Sequence, residues 1–535
     1  MPQKTGFDPA QIGLFAVPLE AMVAADAEVR VIAAFVDQLD LPALGFAAVR
    51  SDGASAYGAA LLLKLYLYGY LNRERSSRRL ARCCRLNVEM MWLTGGLQPK
   101  YHTIADFRKD YPKQLKALFR QYVLLLKDWS LVGGQRLAID GTKVRAQNST
   151  KRNFNAAKLK RNLERIEAGI TAALEEFARR DEQEGEDKTG GRQERQQRTL
   201  ERLASLRQRK AERQEQQRLL SQSKESQLSL TDADARSLLV KGTESMVGYN
   251  VQSVVDGAEY KLIVHLEATN VPDAQALSDL VKTTAELLDL PPDGTTQVLA
   301  DKGYHSGSQL AAVEAQGMVP FVAERRVSTW GQRSSKVYGA EEFSYDEQLD
   351  VYHCPAGQQL TTPGVWYDRT DSSRRHRHYS LPAEVCRACS LFESCVSTPA
   401  QGQRRGRTLS RSEYAGAAER NRQRLKDHPE VYPQRQALVE HPFGTLKRSW
   451  GGYFTLVKGL DKVDGEFSLL ACCYSLRRSL SILGVPALLE LLRGGLFVKN
   501  TLNRSIEDAF SVIMRPLSAI SDRLTLQHRM WRIAA

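Results

Sequence analysis

Apolar residues recur at helical spacing through the first quarter of the chain. The segments Val29–Leu41, Ala59–Leu71, Leu80–Leu93 and Leu115–Leu126 predict an all-helical region over residues 1–130. The pattern then changes. Leu137, Ala138 and Ile139 form an apolar run of strand length that ends at Asp140, and Gly141 and Thr142 predict a turn. A polar stretch follows in which Leu159, Leu163, Ile166, Ile170, Leu174 and Phe177 recur as an a/d-type seam, and Leu200, Leu203 and Leu206 begin a second run. Together they predict a helical hairpin inserted over 151–236. The sequence SLTDADARS predicts a capped helix start around Thr231 and Asp232. Two strands, Tyr249–Asp256 and Tyr260–Thr269, then pair around Gly257. A helix over Asp273–Leu288, a strand ending at Asp301, a helix near Ser306–Gln316 and the strand VPFVAE complete the run. Strands that first meander and then alternate with helices give an α/β class, a mixed sheet flanked by helices. FSLLACCYSL, after Gly465, predicts a core helix over that sheet.

Asp140 alone would read as an acid opening a turn. The pattern returns at Asp301, which follows Val298, Leu299 and Ala300 and precedes Gly303, and Glu440 in QALVEHPFGTLKR offers a third acid. Burying such acids costs free energy unless a cation or donor meets them. Two or three carboxylates suit Mg²⁺ or Mn²⁺, and a pair of such ions serves phosphoryl transfer. Asp256 and Glu267 are rival acids, expected to be solvated beside their hairpin turn. Glu440 and Lys447 stand seven apart, two helical turns, so one face can carry both, while Pro442 must lie in a first turn or kink the helix.

Cys354, Cys386, Cys389 and Cys395 give a C-x31-C-x2-C-x5-C spacing, a candidate structural zinc site, with His353, His376 and His378 as substitute ligands. The adjacent pairs Cys83–Cys84 and Cys472–Cys473 sit in apolar helical sequence and are expected to be packing residues. Arg404, Arg405, Arg407, Arg411, Arg420, Arg422 and Arg424 form a basic run able to hold a phosphate backbone near the acids. Arg73, Arg75, Arg78, Arg79 and Arg82 mark the N-terminal helices, and Thr103 is an expected N-cap. A net charge of +13 on 535 residues points to a polyanionic partner. The apolar stretch YGAALLLKLYLYGYL is broken by Lys64 and too short to span a bilayer, and no signal peptide is evident, so a cytoplasmic, nucleoid-associated protein is expected.

In order along the chain, HTIADFR (102–108), AIDGTK with Asp140, GYNVQSVVD (248–256), ADKGY with Asp301 and VEHPFGTLKR with Glu440 resemble the DDE transposases of bacterial insertion sequences. The resemblance is to a subgroup with a helical N-terminal domain, a split RNase H-like core and a late cysteine cluster, and it runs from about Tyr57 to about Leu483. It implies that Asp140, Asp301 and Glu440 hold two Mg²⁺ ions, and that a Y-x2-R-x3-E-x6-K signature surrounds the glutamate. Tyr432, Arg435 and Lys447 match that signature as DNA contacts, with Arg404, Arg405 and Arg407 beside them. Four residues rather than three separate Arg435 from Glu440, and Gln436 stands where the arginine is expected. The implied division is a DNA-binding region at 1–130, a core at 131–150, 237–345 and 430–483, and a cysteine-rich lobe at 346–400. A basic segment at 401–429 and a tail at 484–535 complete it. The implied partners are transposon ends and target DNA, with two copies of the chain in a synaptic complex. Two other readings stay open: a metal-dependent nuclease on the same core, and a DNA-binding protein with an inactive core.

Overall fold

A computed structural model describes residues 18–46, 57–183, 191–223, 225–241, 244–270, 272–324, 338–339, 342–369, 372–395 and 406–494. The chain divides into two units.

The first unit takes residues up to 72, then 76–104, then the chain from 479 onward. It is helical: α1 (Glu28–Asp37), α2 (Ala59–Leu71), α3 (Ser77–Leu86), α4 (Val88–Thr94) and the first turn of α5 (Tyr101–Asp110). Helix α2 is apolar on nearly every side, and nine of its residues are buried. Such a helix can only be a core element. The hydroxyl of Tyr66 on α2 donates to the carbonyl of Ile104. The single helix expected over 80–93 is two, because Asn87 is extended (φ −115°, ψ 122°) and its side chain caps α4 by accepting from the Met90 amide at 2.8 Å. Thr103 lies inside α5 and does not cap it.

The second unit takes residues 73–75 and 105–478. Its elements begin with α6 (Pro112–Asp128), β1 (Arg136–Arg145), β2 (Asn153–Asn155), α7 (Ala156–Gln183), α8 (Gly191–Gln222) and β3 (Gln227–Ser229). Next come β4 (Arg236–Lys241), β5 (Glu244–Asp256), β6 (Ile263–Thr269), a 3₁₀ turn at Asp273–Gln275, α9 (Leu277–Leu288), β7 (Gln297–Ala300), α10 (Gly307–Ala315) and β8 (Val319–Val322). The sheet runs β4-β5-β1-β7-β8, with β6 also on β5. β6, β5 and β1 are antiparallel, whereas β7 is parallel to β1 and β8 to β7. Three meandering strands followed by two parallel ones make the RNase H-like fold expected from the sequence.

Strand β5 is buried from Val247 to Asp256, which only a central strand covered on both faces can be. At Gly248 an added Cβ would lie 1.9 Å from the Val144 carbonyl oxygen, so a side chain there would part β5 from β1. The length of β5 also overrides the turn expected at Gly141 and Thr142. Both stay in the ladder, opposite Gln252 and Val251, and β1 runs five residues past Asp140. Nor does a helix begin at Thr231. Asp232 is buried and accepts from the Tyr249 hydroxyl at 2.6 Å and the Gly459 amide at 3.1 Å, and β4 follows. Asp256, expected in solvent, is 1% exposed and accepts from the amides of Gly133, Gly134 and Ala258. Those donors make burial tolerable.

The inserted hairpin is α7 and α8. Leu159, Ala173 and Leu203 are buried, but Leu174 and Leu200 remain 45% and 48% exposed, so the apolar seam closes over only part of its length. The expected core helix lies within Leu460–Arg493, interrupted at Gly484 (φ 74°, ψ 166°). Cys472 and Cys473 are fully buried there, and the Tyr474 hydroxyl donates to the Lys261 carbonyl at 3.1 Å.

The cysteine-rich lobe has two small sheets, Ser344–Asp346 with Val351–His353 and Gln359–Leu360, and Tyr367–Arg369 with Ser372–Ser380 and Thr408–Ser412. The last strand comes from the expected basic segment, which continues as the helix Ala415–Asp427. Its arginines are used internally. Arg407 donates to the carbonyls of Cys395 and Tyr338, Arg411 pairs with Glu419, Arg420 and Arg424 with Glu314, and Arg422 with Glu324. Arg404 and Arg405 lie outside the described residues. Most of the tail does too.

Candidate active site

The register of two parallel strands brings the first two acids together. Ile139 of β1 stands opposite Ala300 of β7, so Asp140 and Asp301 follow side by side although 161 positions apart. Asp140 Oδ1 accepts from the Gly141 amide at 2.9 Å, and Asp301 Oδ1 accepts from the Gly303 amide at 2.7 Å. Burial pushes the Asp140 carboxyl up to about 6, the Arg435 guanidinium opposes that rise, and the neighbouring Asp301 adds to it. Arg435 Nη1 stands 3.4 Å from Asp140 Oδ2. The extra residue between Arg435 and Glu440 therefore does not keep the arginine from the site.

A third acid gathers here that the sequence reading took only as a helix start. Asp273 Oδ1 accepts from Asn250 Nδ2 at 2.6 Å and Gln252 Nε2 at 2.8 Å, and Oδ2 from Lys143 Nζ at 2.9 Å. Burial would raise its carboxyl, but the Asn250 and Lys143 donors outweigh that and hold it below the ordinary range. A Cβ built on Gly141 would lie 2.8 Å from Asp273 Oδ1. One built on Gly303 would lie 2.8 Å from Asp301 Oδ1 and 3.5 Å from Asp273 Oδ2. Two glycines thus make room for the carboxylates. Tyr304, fully buried, donates to Gln252 Oε1 and ties this network to the end of β7. The available signal was Asn250 and Gln252, two amides on one face of an apolar strand that need a buried partner.

Glu440 is placed differently. It lies on the helix Gln434–Phe443, exposed, and among the described residues its hydrogen bond is from Gln436 Nε2 at 2.8 Å. Pro442 sits well inside this helix, which widens into a π turn over Gly444–Ser449. The expectation that Glu440 and Lys447 share one helical face fails, because the wider turn changes the phase between them. Lys447 Nζ turns onto β1 and donates to Thr142 Oγ1 at 2.9 Å and the Lys143 carbonyl at 3.2 Å. Burial, and then the charge of Lys143, lower its ammonium group from the usual lysine range. Tyr432 is half-buried just ahead of the helix.

The four cysteines of the lobe line one cavity of about 30 Å³ together with Arg407 and Phe392. Backbone amides of Gln358, Leu391 and Arg407 donate to the sulfurs of Cys354, Cys389 and Cys386 at 3.3, 3.4 and 3.3 Å. Burial raises the Cys395 thiol, Arg407 opposes, and the other three cysteines add to the rise. Among the described residues, at neither cluster is a group of three or more His, Cys, Asp or Glu side chains arranged to hold a metal ion as it stands.

Two family models match. Residues 17–110 match a transposase domain (DUF772), and residues 353–480 match a transposase DDE domain. Both matches are to transposase domains, and together they support a DDE transposase of an insertion sequence. The first match covers the helical unit from its start to the end of α5, and the second covers the cysteines, Arg435, Glu440 and Lys447. Asp140 and Asp301 lie between the matched segments. A transposase of this type acts on DNA, cleaving and transferring it, and such domains generally use divalent metal ions. No curated relative matches the chain. Among the described residues, no helix is long and apolar enough to cross a membrane.

Proposed function

We propose that this transposase binds the ends of its insertion sequence, frees their 3′ ends by hydrolysis and joins them to target DNA at a centre built on Asp140, Asp301 and Glu440. The observation that carries the reading is the register of β1 on β7, which sets two carboxylates side by side with the raised proton affinity of Asp140. Such a pair lacks a positive partner of its own strength, and that fits a divalent cation. Bound Mg²⁺ or Mn²⁺, two ions in this reading, would activate the attacking oxygen and stabilise the leaving one. Asp140 and Asp301 would hold the cation, Asp140 already largely ionised at neutral pH and releasing a proton to it only below about pH 6. Glu440 reaches the pair by exchanging its bond to Gln436 for the ion, since its helix packs along β1. Arg435 and Lys447 stand beside β1, and with Tyr432 they would meet the DNA backbone, where charge fixes register without reading sequence. Two copies of the chain hold the two ends.

The test is incubation of the full chain with a plasmid carrying the element's ends and Mg²⁺. Cleaved ends and joined products are expected, and both should disappear in Asp140→Asn and Asp301→Asn. Cuts without joined products would favour the nuclease, and activity that survives both substitutions would leave only a DNA-binding protein. The cysteines are a separate part of the proposal. Four sulfurs about one cavity, three of them accepting backbone amides, fit a structural Zn²⁺, which would fix the lobe and take no part in the reaction. Purified protein is expected to contain about one zinc per chain, lost in Cys386→Ser/Cys389→Ser. Full-length protein free of zinc yet unchanged in melting temperature would refute it.

A further inference from the structure

Beyond the carboxylates, β1 runs on to Arg145, and the segment Tyr453–Thr455 is laced to its end. The Arg145 amide donates to the Tyr453 carbonyl at 3.0 Å, the Thr455 amide donates to the Arg145 carbonyl at 2.9 Å, and Gln147 Nε2 reaches the Thr455 carbonyl. These residues, with Asn148, Arg152 and Thr231, wall a cavity of about 620 Å³. No acidic residue lines it. Arg145 and Arg152 are exposed and, among the described residues, make no ion pair. That sets them apart from the arginines at 407–424, which are occupied by carboxylates and carbonyls. Tyr453 is 57% exposed at the rim.

The cavity also holds unmet polar groups. Thr455 is fully buried and its Oγ1 has no hydrogen-bond partner, and Asn148 Oδ1 and Thr231 Oγ1 are buried and unpartnered too. Orphaned polar atoms are costly in a folded interior, and three of them stand in the residues that wall this one groove, just beneath its surface.

We infer that this groove holds a single DNA strand outside the catalytic centre. The inference rests on the proposed DNA chemistry and adds a subsite to it. Phosphates meet Arg145 and Arg152, and an unpaired base stacks on Tyr453. Five residues of β1 separate Arg145 from Asp140, about 17 Å at strand rise, and alternation sets the two on opposite faces, so the groove is a subsite apart from the reacting phosphate.

The test measures binding of a fluorescein-labelled oligothymidylate to the full chain by anisotropy over a salt series, without divalent metal so that cleavage does not enter. Arg145→Gln/Arg152→Gln is expected to weaken binding at least tenfold at low salt and to reduce the log–log salt slope by about 1.4, the share of two phosphate contacts on a single strand. Tyr453→Ala is expected to weaken binding about tenfold with the slope unchanged. Arg387→Gln/Arg422→Gln, which removes equal charge elsewhere, should change neither. Parental affinity and slope in the first two variants, or an equal loss in the control pair, overturns the groove. If the double arginine variant fails to fold by circular dichroism, the exposed Tyr453 decides alone. Parental behaviour here in a protein that still cuts transposon ends removes only the subsite. A slope change in a protein that never cuts removes the catalytic reading and leaves the strand groove standing.

Discussion

Asp140 and Asp273 both stand beside Gly141 and carry the same side chain, yet their surroundings are opposite. Asp273 is met by two amides and an ammonium group, and its carboxyl is held below the ordinary range. Asp140 has one backbone amide, a guanidinium at 3.4 Å and a second acid beside it, and it is driven up to about 6. One carboxylate is finished by the fold, and the other is the proposed cation ligand. Perturbation of this second kind marks a reacting centre, whereas the first marks a scaffold.

The sharpest way to break the comparison is to neutralise each acid in turn. Asp140→Asn is expected to lower strand cleavage by about a thousandfold or more, as loss of a metal ligand does. The same change should stabilise the metal-free protein. A carboxyl whose folded value lies above its unfolded one binds its proton more tightly in the native state, so stability falls as pH rises from about 4 to about 6 and stays low above. Removing that penalty gains roughly 2–3 kcal/mol at neutral pH, visible as a higher melting temperature. Asp273→Asn should do the reverse, costing roughly 1–3 kcal/mol because Lys143 loses its charged partner and faces an amide donor. Its loss in cleavage should be partial. If Asp273→Asn abolished cleavage and left stability untouched, the assignment of roles would be inverted.

Next in size is the pH dependence of the cation site. If Asp140 is a cation ligand as proposed, protons and metal compete for it, so Mn²⁺ binding by calorimetry should tighten as pH rises through about 6 and release a proton below that midpoint. In Asp140→Asn the proton release should vanish. Binding flat across this range would mean that Asp140 is not a ligand.

How far the sequence alone reaches is visible in the same residues. Asp140 and Asp301 were legible because each ends an apolar run, and a register of two parallel strands is all that is needed to pair them. Asp273 was not legible, since its meaning depends on Asn250 and Gln252 across the sheet and on two glycines that leave room for it. Asp256 and Asp232 misled in the same way. Both look like turn acids, and only the backbone amides and the tyrosine hydroxyl brought to them by distant chain make them interior groups. The arginine run at 404–424 misled through charge, because a count of arginines says nothing of Glu314, Glu324 and Glu419 waiting in the fold. Alternation and helical period are local properties, so the RNase H-like strand order and the helical hairpin could be read. Partnership is not local.

The smallest effect concerns Arg435, the residue that moderates the contrast. Its charge is the main influence holding Asp140 below the value burial alone would give. Arg435→Gln should therefore move the midpoint of cation binding upward from about 6. Above the new midpoint, where protons no longer compete, the cation should bind slightly tighter than in the parent, because one positive charge has left the site. The change should stay under about tenfold, since the pair is partly open to solvent. Cleavage should nonetheless decline, through weaker DNA binding rather than through the ion, and raising the DNA concentration should recover part of it. Were cation affinity to fall at every pH, Arg435 would be supporting the carboxylates by position, and the view of Asp140 as an acid awaiting a cation would need a different balance of charges.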